Sequence, residues 1–241
     1  QQRAKASWLQ DLARLEPNLV VITGDLLAAS DSLALLRQAI EPFRGVPGVF
    51  VFGSNDYFAP KLRNPLGYLV RDSKHDDFAD VDSLPTEALR ELLTDTGWLD
   101  LNNARASLRL AGCDVSLVGT DDAHIDRDIM PARGAGAVAD LQIGVTHAPY
   151  ARVLSAFVAD GVDIAFAGHT HGGQVCVPGY GALVTNCDLD THRASGLSGW
   201  PGARPDEPGG ADSIWLHVSA GLGTSPYAPF RFACRPEATL L

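Results

Sequence analysis

The stretch "AGHTHGGQV", residues 167–175, sets His169 and His171 one residue apart, directly after the apolar run "VDIAF". Alternate residues of an extended segment face the same way, so two imidazoles in this spacing can serve one ligand. Three more apolar runs end on polar side chains. "VVITGD" ends on Asp25, "VFVFGSND" on Asn55 and Asp56, and "IGVTH" on His147. Glycines at such ends let the chain turn sharply, and in an open α/β sheet ligands bind beyond the carboxyl ends of the strands. Each residue alone has an ordinary structural use: Asp25 as a helix cap, Asn55 in a left-handed turn, His147 as a hydrogen-bonded core histidine. Four strand ends carrying Asp, Asn and His to one edge point instead to a metal site.

The donor types narrow the metal. Imidazole nitrogen with carboxylate and amide oxygen suits manganese, iron, zinc or nickel. No thiolate joins the set, which argues against a structural zinc. The four cysteines, Cys113, Cys176, Cys187 and Cys234, form no C-x-x-C pair and read as buried small hydrophobes in a reducing compartment, although their even number also suits an oxidising one.

To hold these ligands the chain needs parallel strands, and it has the composition for them. Its 241 residues suffice for one α/β domain over 1–241, with 46% hydrophobic and 20% charged residues. The formal charge of −10, with no basic cluster, argues against a nucleic-acid polymer as partner. No run reaches the roughly 18 apolar residues that span a bilayer, and no signal peptide is visible. Since the first residue is Gln1, the chain is expected to be processed or N-terminally truncated.

Helical spacing in "KASWLQDLARLE", "SLALLRQAIEPF" and "PTEALRELLTDTGW" alternates with short apolar strands in "NLVVITGDLL" and "GVFVFGSNDYF". A loop rich in charge and proline precedes the third helix. "ASLRLAG" and "DVSLVGTDDAH" read as two strands joined by a Gly-Cys-Asp turn. "LQIGVTHAPY", "VDIAFAGHTHGG", "SIWLHVSAGLG" and "FRFACRPEATLL" read as further strands, and residues 196–212 as a Gly/Pro-rich surface loop.

Taken together, "TGD" at 23–25, "GSND" at 53–56, "GVTHAP" at 144–149 and "GHTHGGQV" at 168–175 resemble the calcineurin-like metallophosphoesterases, particularly the membrane-associated branch ending in G-H-T-H-G-G-Q. "VSAGLGTS" and "RFACRPEATLL" extend the resemblance over nearly the whole chain. It implies a sandwich of two mixed β-sheets flanked by helices and a phosphoester hydrolase that cleaves phosphodiester or pyrophosphate bonds with a metal-bound hydroxide on two divalent ions, manganese favoured. By resemblance Asp25 bridges both ions, Asn55, His147 and His169 complete one site, and His171 belongs to the other. A small phosphodiester or lipid-linked phosphate is the implied substrate, in the cytoplasm or peripherally at a membrane, with membrane association through a segment ahead of Gln1.

The chain departs from that pattern twice. The family opens with Asp-x-His on its first strand, and nothing before Asp25 fits, so that strand is expected to have been cut away. A metal-binding or scaffold domain without catalysis is the alternative this leaves. "DAH" at Asp122–His124 copies the triplet but comes late, and reads as a loop whose Asp122 or His124 touches substrate. The second departure is "GSND" in place of Gly-Asn-His. Aligned on asparagine, Asn55 is the ligand and Asp56 stands where a histidine assists the leaving group; aligned on glycine, Ser54 takes the ligand place. The first is preferred because serine is a poor neutral ligand. Asp56 must then be protonated, turned aside or paired with a cation. Tyr57, Phe58, Tyr150, Tyr180 and Trp200 are candidates for an apolar flank of the pocket, although aromatics more often pack the core.

Overall fold

Every strand that ends on a candidate ligand runs parallel to a neighbour, which brings those ends to one edge. The computed structural model describes residues 2–27, 29, 32–59, 81–134, 139–225 and 230–241. Most of the charged, proline-rich loop ahead of the third long helix lies outside them. The order is α1 (Gln2–Leu12), β1 (Val20–Ile22), α2 (Ser32–Ile40), β2 (Gly48–Phe50), the single turn α3 (Ser54–Tyr57), α4 (Thr86–Asp95) and β3 (Leu99–Asp100). There follow β4 (Arg105–Leu110), β5 (Cys113–Gly119), β6 (Leu141–Val145), α5 (Ala151–Asp160), β7 (Ile164–Ala167), β8 (Cys176–Val177), β9 (Gly181–Ala182), β10 (Gly196–Trp200) and β11 (Ile214–Val218).

Strands β1, β2 and β3 form one sheet, and the second has the order β10-β11-β7-β6-β5-β4. Within the second, β5, β6, β7 and β11 are parallel, while β4 and β10 are antiparallel edges. The expected sandwich of sheets flanked by helices is what forms. Its larger sheet is mixed, and the described strands of its smaller one are all parallel. Between the sheets Val49, Val51 and Leu101 meet Val115, Leu117, Ile143 and Val145 in one buried cluster. Such strands must be apolar on both faces, because helices cover the other side. Ile40, Leu89, Leu92 and Leu93 pack there on Phe50 and Phe52, and Val153, Leu154 and Phe157 of α5 pack on Ala165, Ala167, Leu216 and Val218.

Four elements differ from the sequence reading. Helix α5 was not anticipated between "APY" and "VDIAF"; its apolar face is short and sits between two more apolar strands. Gly161, with φ of 78°, stops it by returning its amide to Phe157 and Val158. The β4–β5 turn is Ala111-Gly112, not Gly-Cys-Asp: both have positive φ, 48° and 91°, the signature of a type I′ hairpin. Cys113 therefore pairs with Leu110 and is exposed at the hairpin tip, while Cys176 is buried and Cys187 and Cys234 are half-buried thiols. The segment read as a surface loop from 196 begins with edge strand β10, whose backbone pairs with β11 despite its glycines. The closing stretch makes a bridge between Phe232 and Val175 but no ladder, and Pro236 lacks the amide a ladder would need. Among the described residues, no helix is long and apolar enough to cross a membrane.

Leu117, fully buried between the sheets, tests this architecture. Leu117→Ala should lower the unfolding free energy by about 2–5 kcal/mol in urea titration. A change below about 1 kcal/mol would mean the two sheets do not share that core.

Candidate metal centre

The site is built on a turn that a buried carboxylate holds. After β1, Gly24 and Asp25 take left-handed φ values of 92° and 58°. Only glycine fits at 24, since a Cβ there would lie 2.6 Å from the Gly53 nitrogen and 2.8 Å from His147 Nδ1. The Asp56 carboxylate accepts the main-chain N–H of Asp25 (2.8 Å), Leu26 (2.7 Å), Leu27 (3.0 Å) and Gly53 (3.0 Å). It thereby ties the end of β1 to the end of β2. Burial and the neighbouring Asp25 charge push its pKa up to about 6, against the amides from Gly53 and Leu27. At neutral pH it remains mostly ionised, the form that four donors satisfy.

This corrects the reading of Asp56 as the group beside the leaving atom. Its carboxylate is turned aside, fully buried, onto main-chain donors. Asn55 is the residue of this turn that faces the site. Its amide N–H donates to Asp25 Oδ1 (2.9 Å) and its Nδ2 to Asp25 Oδ2 (2.8 Å).

Two histidines come in from the larger sheet, His147 against this carboxylate and His169 against His147. His147 follows β6 and sits within 2.6 Å of the Thr23 carbonyl through Nδ1. A carbonyl can only accept, so Nδ1 carries a proton and Nε2 is the nitrogen turned to the site, where it donates to Asp25 while the ring is charged. That Nε2 lies 3.4 Å from Asp25 Oδ2 and 3.3 Å from His169 Nδ1. His169 follows β7, and its Nε2 is 3.1 Å from the Asn186 carbonyl; by the same argument its lone pair is on Nδ1. The sequence reading required acceptors for these second nitrogens, but no motif marks them because both are main-chain oxygens. Gly53 leaves space for the convergence: a Cβ there would stand 2.3 Å from Asp25 Oδ1 and 2.5 Å from His147 Cε1.

The electrostatics follow. Burial alone would raise the Asp25 pKa, but the charge of His147 and hydrogen bonds from His147 and Asn55 outweigh it and hold the carboxyl well below its ordinary value. For His147, burial opposes protonation while Asp25 and Asp122 favour it, and the net direction is up. Burial and the nearby His124 and His147 depress His169. His171 is pushed down to about 4, first by burial, with Arg231 and His147 adding to it against Asp25.

Asp25 Oδ2, His147 Nε2 and His169 Nδ1 therefore stand in 3.3–3.4 Å steps around the proton on His147 Nε2. A cation bound there would displace that proton and take all three atoms as donors. Donors bound at about 2.0–2.2 Å to one ion stand roughly 3–3.5 Å apart, so the spacing fits. Among the described residues, no group of three or more His, Cys, Asp or Glu side chains is placed to hold a metal ion as it stands. Asp25 is closed onto Asn55 instead, and a bound ion would exchange these direct contacts for coordination.

A fifth strand end joins the site. After β5, Asp122 is fully buried; its Oδ1 accepts the His124 amide (2.8 Å) and its Oδ2 has no hydrogen-bond partner. Burial raises its pKa to about 7. The His124 ring lies 4.6 Å from that of His169, with its Nδ1 3.1 Å from the Tyr150 hydroxyl. The structure thus places the "DAH" turn beside the histidines. Tyr57 is not beside them. It is in the core, its hydroxyl donating to the Asp121 carboxylate (2.9 Å) and its ring edge-on to Phe52. Phe58 packs with the helices and Trp200 against the α5 cluster, and Tyr180 is 68% exposed. Of the five aromatics, Tyr150 is the one in contact with a site histidine.

A sandwich whose parallel strands gather Asp, Asn and His at one edge is an arrangement suited to a metal-dependent hydrolase. The family model for calcineurin-like phosphoesterases matches residues 1–173, and the chain belongs to that family. These enzymes hydrolyse phosphoric esters and generally use divalent metal ions. Among similar proteins of Bacillus subtilis (strain 168), "Uncharacterized metallophosphoesterase YkuE" is 25% identical over 93% of this chain and 67% of its own length. "Uncharacterized metallophosphoesterase YkoQ" is 24% identical over 96% of this chain and 74% of its own. "Uncharacterized protein YpbG" is 29% identical over 66% of this chain, which spans only 52% of that protein.

Asp56→Asn isolates the anchoring carboxylate. One of its two acceptor oxygens becomes a donor facing two main-chain N–H groups, so stability should fall by about 2–5 kcal/mol in urea unfolding. Manganese affinity, measured by calorimetry under native conditions, should fall with it. Unchanged stability would show that the four amides do not depend on this side chain.

Proposed function

We propose that this chain cleaves a phosphodiester or pyrophosphate bond using two divalent cations, with manganese preferred, and that it belongs to the membrane-associated branch ending in G-H-T-H-G-G-Q. What supports the reading is the convergence of Asp25 Oδ2, His147 Nε2 and His169 Nδ1, three atoms a cation would share on displacing the His147 Nε2 proton, with the other ring nitrogens held by main-chain carbonyls. Asp25 serves both ions, His147, His169 and Asn55 serve one, and His171 the other. When bound, such ions supply a nucleophile at neutral pH and neutralise charge on the phosphoryl oxygens.

The chain's own groups do the rest. Thr23 and Asn186 carbonyls hold both imidazoles in the tautomer that turns a lone pair to the ions, an outer layer typically worth 10–100-fold in metal affinity or activity. Asn55 holds the Asp25 carboxylate, and its remaining amide oxygen is the donor it offers. Asp122, His124 and Tyr150 border the substrate side from β5 and α5. The acidic chain disfavours polyanions, which leaves a small phosphodiester or a lipid-linked phosphate, encountered in the cytoplasm or at a membrane surface.

The test is turnover of a generic aryl phosphodiester, with metal counted per chain. His169→Ala and Asp25→Ala should each lower manganese-dependent turnover by at least about 100-fold while circular dichroism and unfolding remain near the parent's. Parental turnover in either variant overturns the assignment. A parent chain that binds manganese but shows no turnover supports a non-catalytic metal-binding domain instead.

A further inference from the structure

His171 is the ligand furthest from the Asp56 anchor, and it has an anchor of its own. It lies on the turn after β7 with a left-handed φ of 51°, a conformation that disfavours a residue with a side chain. Gly223 borders its ring, with Cε1 3.8 Å from where a Gly223 Cβ would stand. The His171 carbonyl accepts from Arg231 Nη1 at 2.9 Å. The same guanidinium donates through Nη2 to the carbonyls of Ala220 (2.6 Å), Gly221 (3.1 Å) and Gly223 (2.6 Å), and through Nε to Gly223 (2.9 Å). Arg231 therefore ties the main chain of His171 to the turn after β11 that borders its ring.

The surroundings make this grip local. The turn after β11 is fixed at its root, where the Ser219 amide donates to Ala167 at the end of β7. The closing stretch lies along the far side of the loop, with the Phe232 amide on the Gln174 carbonyl and the Cys176 amide on the Phe232 carbonyl. Three chain segments meet around the guanidinium, whose rigid fork can serve carbonyls in several directions at once; an ammonium on a flexible stem cannot hold that set in one geometry. Arg231 touches no group placed at the reacting centre except through His171, so it is not a catalytic residue.

We propose that Arg231 is a positioning residue for His171: it fixes the height and direction of that imidazole relative to Asp25, and hence the affinity of the cation His171 serves. This rests on the reading of His171 as a metal ligand. A side chain that merely pinned the C-terminal stretch would affect all metal sites alike.

Manganese binding to the whole chain, followed by electron paramagnetic resonance of the free ion and by calorimetry, separates these cases. His171→Ala identifies the binding class that His171 serves. Arg231→Ala should weaken that class by about 10–100-fold and leave a class served by His147 and His169 within about two-fold. The double variant should bind no more weakly than His171→Ala alone, since Arg231 acts only through that ring. Arg231→Lys, which keeps the charge but not the fork, should fall between parent and Arg231→Ala, and it carries the test if the alanine variant fails to fold. Equal weakening of every class, or a double variant weaker than His171→Ala by the full Arg231→Ala factor, overturns the proposal. If His171→Ala binds manganese like the parent, the ligand assignment of His171 itself is wrong and this inference falls with it.

Discussion

A buried carboxylate surrounded by main-chain amides is the constraint on which the site depends. Two short parallel strands must end side by side with their last residues in strained, left-handed or tightly turned backbone, where ladder hydrogen bonds stop. Asp56 fills the gap by accepting four N–H groups from the ends of β1 and β2. Removing such an acceptor would leave several buried donors unpaired, each costing about 1–3 kcal/mol. With that turn held, Asp25 has one place to go, and its carboxylate becomes the point toward which Asn55, His147 and His169 are directed.

The second layer is made of carbonyls. His147 rests on Thr23 and His169 on Asn186. Each acceptor commits one ring nitrogen to a proton and aims the other. This is an economical way to orient an imidazole, because a carbonyl cannot change its protonation state as a carboxylate can. It also turns the other ring nitrogens to the inner side of the cluster, where a divalent ion would replace the proton that His147 now shares with Asp25. Burial amplifies the effect, since the same groups in water would be screened.

Much of this was legible before any coordinates. The runs ending on Asp25, Asn55, His147 and His169 named four residues that the fold brings together, because buried parallel strands are apolar throughout and a polar residue at their ends stands out. Asp56 misled: an acid next to a ligand looks chemical, and only its four amide contacts show that it is an anchor. Tyr57 misled in the same way, its hydroxyl being spent on Asp121. Asp122 and His124 were treated as a loop, and it took the β5–β6 pairing to bring them beside His169. Arg231 carried no signal at all, as a single basic residue in an apolar tail.

By itself the sequence determined which side chains can bind a metal and that short parallel strands deliver them, since residue type and period are local properties. The three-dimensional arrangement decided which acids face inward, which nitrogens carry protons and which distant segment holds His171. Those outcomes turn on main-chain amides and carbonyls, present at nearly every residue and therefore invisible in a string of side-chain names. Folding alone chooses among them, by leaving some buried and unpaired until one particular neighbour arrives.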